Sequence, residues 1–132
     1  MTEIELNKIT EKIIGCAYAV SNTLGSGFVE KVYENALVYE IRKLGFKVEQ
    51  QKDIDVFYDG VVVGKFTADL VVEDSVIVEV KAIKGFDEKH SAQCLNYLHA
   101  TKLPVCLMIN FAKPKVELKR FYLSNNLRDF LK

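Results

Sequence analysis

The chain has 132 residues, 49% of them hydrophobic and 27% charged, which suits one globular domain and excludes two full cores or a disordered chain. Eighteen basic residues balance eighteen acidic ones, for a formal net charge of zero. That balance argues against a histone-like nonspecific nucleic-acid binder, but it leaves room for an acidic site offset by a metal ion. No apolar run nears the ~20 residues that span a bilayer. MTEIELNKIT has no basic segment leading into an apolar one, so no signal peptide is expected and a cytoplasmic address is the default.

Ile4 to Leu24 is predicted as a helix, because Leu6, Ile9, Ile13, Ala17, Val20 and Leu24 recur at steps of three or four. Gly25-Ser26-Gly27 ends it. A second helix is expected from about Phe28 to Leu44, stopped by Gly45. Strands follow: Ile54–Tyr58 and Val61–Val72 flank the hairpin signal Asp59-Gly60, and Val76–Ile83 comes after Glu73-Asp74-Ser75. Asp87 is placed to cap a helix from Glu88 to Thr101. Val105–Phe111 reads as a strand covered on both faces, and Val116–Leu123 as a strand nearer an edge. Ser124 would cap a short terminal helix ending near Leu131. The order ααβββαββ(α) predicts one α/β domain over 1–132, a mixed sheet with helices packed on it. Cys16, Cys94 and Cys106 are odd in number and widely spaced, as expected of reduced, buried thiols.

A three-residue loop at Glu73-Asp74-Ser75 pairs Val72 with Val76, Leu70 with Val78 and Ala68 with Val80 on one core face. On the other face Val71 meets Ile77, Asp69 meets Glu79 and Thr67 meets Lys81. Two carboxylates would then stand ~5 Å apart at Cβ. They repel unless something offsets them, and Mg²⁺ prefers such an all-oxygen setting. Lys81 shares the strand face of Glu79. Two acids and a lysine suit metal-assisted phosphodiester hydrolysis. They equally suit a solvated sheet face on which Lys81 screens Glu79.

Gly27-Phe28-Val29-Glu30-Lys31-Val32-Tyr33 spells GxxExxY, and Asp69, Glu79-Val80-Lys81 and Gln93-Cys94-Leu95-Asn96-Tyr97 follow in order. Together with Leu107-Met108-Ile109-Asn110-Phe111 they resemble the GxxExxY family of the PD-(D/E)XK nuclease superfamily. The resemblance implies a restriction-endonuclease-like mixed β-sheet flanked by α-helices. It implies a Mg²⁺- or Mn²⁺-dependent nuclease, with DNA favoured over RNA. Asp69, Glu79 and the Val80 carbonyl would be metal ligands, and Lys81 the catalytic lysine. Glu30 would join the metal site directly or through water, and Gln93 and Tyr97 would line the site and contact substrate. Ala68 stands where the superfamily has proline.

Each assignment has a structural counterpart. With Gly27 as N-cap, Glu30 would fall at N3 and cap the helix. Tyr33 reads first as a packing residue with a polar tip. His90 extends the Gln93–Tyr97 face and is either a proton carrier or a plain surface histidine, while His99 lies off that face. Lys113, Lys115, Lys119 and Arg120 guard an edge or meet phosphates, and the acidic run Asp53, Asp55, Asp59 is expected to face away from nucleic acid. There is no phosphate-binding GxxxxGK[ST] loop, GxSxG elbow or GxGxxG turn, and two histidines give zinc little support. Three functions compete: a nuclease, a noncatalytic nucleic-acid-binding or assembly module on the same fold, and an enzyme acting on a small phosphate ester. The expected partner is a nucleic acid, with a homodimer possible and no membrane.

Overall fold

The computed structural model describes residues 1–123, so the expected terminal helix from Ser124 lies outside the described residues. The first helix, α1 (Glu3–Leu24), starts where the Thr2 side chain accepts the Glu5 amide proton, with Glu3 and Glu5 complementing the helix dipole. Its buried stripe includes Leu6, Ile9, Ile13, Ala17 and Val20, the residues whose spacing predicts it. The second helix, α2 (Glu30–Lys43), begins two residues later than expected, with Val29 rather than Gly27 as N-cap. Tyr33 is the reason. Its buried hydroxyl donates to the Gly25 carbonyl at 2.6 Å and accepts from the Phe28 amide at 3.2 Å, and its ring stacks on Phe111 at 4.7 Å. That latch holds the loop open through Gly27, whose φ of +113° is a glycine conformation.

Five strands form one sheet in the order β1 (Val48–Tyr58), β2 (Val61–Val72), β3 (Val76–Lys81), β4 (Val105–Asn110) and β5 (Glu117–Tyr122). Neighbours are antiparallel except β3 and β4, which are parallel. A parallel pair needs a crossover, and α3 (Glu88–Thr101) supplies it. Asp87 caps α3 as expected, and His90 closes the capping box by accepting the Asp87 amide proton. The hairpin turn Asp59-Gly60 has both φ angles positive, as a tight two-residue turn requires.

Helices α1 and α2 cover one face of the sheet, packing on Leu70, Val72, Val78, Val80, Leu107 and Ile109. Helix α3 covers the other, packing on Ala68, Val71, Ile77, Cys106 and Met108. Every residue of β4 is therefore buried, and each of its large apolar side chains contributes about 1.5–3 kcal/mol of transfer free energy. All three cysteines are free and buried.

Three strand expectations need correction. Strand β1 begins at Val48, six residues before Ile54, because Glu49 and Gln50 continue the pairing with Val71 and Leu70. Strand β3 ends at Lys81 instead of Ile83, because the buried Asn110 side chain takes both main-chain groups of Ile83. The hairpin keeps the expected pairs Val72–Val76, Val71–Ile77 and Leu70–Val78, but the ladder stops there. The pairs Asp69–Glu79, Ala68–Val80 and Thr67–Lys81 do not form, and Ala68 belongs to the α3 face, opposite to Leu70. Among the described residues, no helix is long and apolar enough to cross a membrane.

Candidate active site

The site opens where β2 and β3 part. Strand alternation puts Leu70 and Val72 under α1 and α2 and would put Ala68 there too. Ala68 and Phe66 instead turn to α3, so the alternation reverses at Asp69. Its partner strand reverses at the same level, since Gln50 bonds to Glu34 and Asn35 of α2 whereas Ile54 packs toward α3. The reversal aims the Asp69 carboxylate across the gap, where Oδ2 accepts the Val80 amide proton at 2.9 Å. A side chain thereby takes the place of a ladder bond. Such irregularities re-aim side chains beside active sites.

Glu79 lies on β3 and is only 2% exposed. Its Oε1 is buried without a hydrogen-bond partner. Burial pushes the carboxyl up to about 9, repulsion from Asp69 adds to the shift, and Lys81 partly opposes it. A buried acid oxygen without a hydrogen-bond partner is costly unless a cation or a donor offsets it. Among the described residues, no three His, Cys, Asp or Glu side chains make a ready metal cage. The oxygen set is two carboxylates and main-chain carbonyls, with one acid oxygen unpartnered. That fits Mg²⁺, which keeps several waters and takes one or two carboxylates plus substrate oxygens.

Helix α3 faces the third member. The Lys81 ammonium donates to Gln93 Oε1 at 3.3 Å, and Gln93 Nε2 donates to the Tyr97 hydroxyl at 2.8 Å. Tyr97 stacks on Phe66 of β2 with ring centroids 4.0 Å apart. Burial, with the Glu79 charge second, pushes the Tyr97 hydroxyl up to about 12, so it stays protonated. Tyr97 also borders a cleft of about 480 Å³ whose lining includes Phe66, Asn96 and the exposed His99. His90 is occupied in the α3 cap. Lys119 of the basic cluster sits over the Phe121 ring and donates to Ser91.

The structure thus gathers Asp69, Glu79, Val80, Lys81, Gln93 and Tyr97. It leaves Glu30 outside. Glu30 is the first residue of α2 and exposed, not at N3, and it joins none of the hydrogen bonds of this cluster. The α2 acid that reaches inward is Glu34, 3% exposed, which accepts from Lys31, Gln50 and Gln51. Gln51 in turn donates to Asp69 Oδ1 at 3.3 Å. Glu34 and Gln51 carry no motif; the one signal for Glu34 is its place one turn after Glu30, on the apolar stripe of α2.

A family model of the PD-(D/E)XK nuclease superfamily matches residues 7–121. The chain belongs to the PD-(D/E)XK nuclease superfamily. Its mixed five-stranded sheet flanked by three helices is the restriction-endonuclease-like α/β fold of that superfamily. A search of curated proteins and a search of solved structures each returned no match. Membership in a nuclease superfamily points to nuclease activity and a nucleic-acid substrate.

Proposed function

We propose that this protein is a Mg²⁺- or Mn²⁺-dependent nuclease of the GxxExxY kind that hydrolyses phosphodiester bonds, with DNA the favoured substrate. The observation that carries the reading is Glu79 Oε1, buried and unpartnered beside Asp69 and two residues along β3 from Lys81. Asp69, Glu79 and the Val80 carbonyl would hold the cation. When bound, a divalent ion supplies charge neutralisation and a more acidic water.

The chain's own residues divide the remaining work. Asp69 and Glu79 would bring the carboxylate oxygens that hold a cation in a buried place, Glu79 releasing its proton as the cation binds. Lys81 would present its ammonium group beside the two acids, where it orients water toward phosphorus and offsets charge as the P–O bond to the leaving sugar oxygen breaks. Gln93 fixes the lysine, and Tyr97, protonated and stacked on Phe66, fixes Gln93. Glu30, exposed at the start of α2, is not needed in this scheme.

The test is cleavage of end-labelled DNA, single- and double-stranded, by the wild type and Lys81→Ala with Mn²⁺ or Mg²⁺, and RNA for comparison. Cleavage that needs the cation and Lys81 supports the proposal. Cation and DNA binding without cleavage would convert the protein to a noncatalytic binding module.

A further inference from the structure

We infer that Gln51 is a positioning residue, whose left-handed backbone turns its amide inward to tie the Asp69 carboxylate to the buried Glu34 of α2. The inference rests on the reading of Asp69 as a cation ligand and names what holds that ligand in place.

Five non-glycine residues of the described chain have positive φ: Gln51, Asp59, Glu73, Asp74 and Lys102. Four of them sit in turns or at the end of α3, where the conformation is ordinary. Gln51, at φ +52°, is inside a strand. It is neither glycine nor asparagine, so the surroundings must enforce the conformation. The consequence is local and specific. Pairing of β1 with β2 keeps the same register on both sides, Gln50 with Leu70 and Lys52 with Ala68, yet the faces of both strands reverse between them. Gln51 and Asp69 are the two residues at the reversal.

The Gln51 amide then has two carboxylate partners, Glu34 Oε1 at 2.9 Å and Asp69 Oδ1 at 3.3 Å. Glu34 is a firm anchor, since Lys31 and Gln50 hold its other oxygen. Asp69 Oδ2 is held by the Val80 amide. Both oxygens of Asp69 are therefore fixed by neutral donors, and its rotamer is set before any cation arrives. A lysine at position 51 would supply charge that competes with a cation. An amide orders the carboxylate without cancelling it.

The experiment compares wild type, Gln51→Gly and Gln51→Met. Glycine accepts the left-handed backbone and removes the amide. Methionine keeps the length and the backbone strain and removes the amide, whose Nε2 makes both bonds to the carboxylates. Melting is followed without metal, Mn²⁺ binding by titration calorimetry, and the ligand field by electron paramagnetic resonance of bound Mn²⁺. Gln51→Gly should melt close to wild type, relief of the left-handed strain offsetting the lost bond to Glu34, both variants should bind Mn²⁺ roughly tenfold more weakly, and the Mn²⁺ spectrum should change in Gln51→Met. Unchanged Mn²⁺ affinity in either variant overturns the role of Gln51 and leaves the nuclease reading standing. Weaker binding together with a much lower melting temperature for Gln51→Gly means that Gln51 holds the fold, and also overturns it. Absence of Mn²⁺ binding by the wild type overturns both.

Discussion

The Asp69 carboxylate and the Val80 amide meet at 2.9 Å across a gap where the β2–β3 ladder has ended. The bond places one acid against the strand that carries the other. Asp69→Asn keeps an oxygen for the Val80 amide and removes the repulsion on Glu79. Its metal-free melting temperature should equal or exceed that of the wild type. The rise that millimolar Mn²⁺ gives the wild type by mass action should be mostly lost. Equal Mn²⁺-induced shifts in the two proteins would remove Asp69 from the ligand set.

Glu79 makes stability depend on pH in an unusual direction. Its folded pKa, about 9, lies above the ordinary glutamate value of 4.5, so between these limits the native state binds more protons than the unfolded state. The contribution of the protonated group is fully present below about pH 4.5 and is lost as pH rises through about 9. The slope is at most about 1.4 kcal/mol per pH unit for one proton. Metal-free protein should melt lower at pH 8.5 than at pH 6.5, and Glu79→Gln should flatten that trend. A parallel pH dependence in the variant would assign it elsewhere.

Lys81→Ala should leave Mn²⁺ affinity within about twofold, because the proposed ligands are acids and a carbonyl. Cleavage should fall by about 10²-fold or more, as when a group acting on developing charge is removed. Gln93→Ala should show a smaller loss of kcat, since the lysine charge remains. Single-turnover cleavage at saturating cation separates these outcomes, and undiminished cleavage by Lys81→Ala would end its assigned role.

The two α2 acids should behave oppositely. Glu30→Gln alters an exposed first-turn charge and should change stability by no more than about 0.5 kcal/mol, with Mn²⁺ affinity unchanged. Glu34→Gln turns a buried triple acceptor into a group with one acceptor oxygen and should cost about 1–3 kcal/mol. Denaturant melts and calorimetry on the two variants check this pair. A drop in Mn²⁺ affinity for Glu30→Gln would bring that residue back to the site.

Tyr33→Phe leaves the Gly25 carbonyl and the Phe28 amide without their shared partner. A loss of about 1–2 kcal/mol is expected, with the far-ultraviolet spectrum retained. No change in the denaturation midpoint would show that water replaces the hydroxyl.

Much of this was readable from residue spacing. The α3 helix has the predicted limits, and its Asp87 cap is in place. The hairpin pairs nearest the Glu73-Asp74-Ser75 loop stand as the small and apolar pairing demanded. The reversal at Gln51 and Asp69 was not readable, for a physical reason. A period-two pattern reports a face only when one side is polar, and the residues flanking Asp69 are apolar whichever helix they meet. No glycine marks the left-handed turn of Gln51 either. The GxxExxY motif points to Glu30, and no motif marks Glu34; the early helix start bears only on the capping reading of Glu30. The Tyr33 latch on Gly25 and Phe28 moves that start and is invisible until the loop is folded.

Asp69 and Val80 are eleven positions apart in the chain, and that closeness decides where the protein can be cut open and extended. The spacing of the two acids is set by the loop at Glu73-Asp74-Ser75, so an extra residue there would displace one acid relative to the other. The Asp59-Gly60 turn is different. It lies at the exposed far end of β1 and β2, beyond the pairing shift between Val56 and Phe57. Loop tips of this kind accept inserted sequence. A fluorophore tag or a second binding module can be grafted at Asp59-Gly60 with the hairpin that carries Asp69 and Glu79 left at its native length.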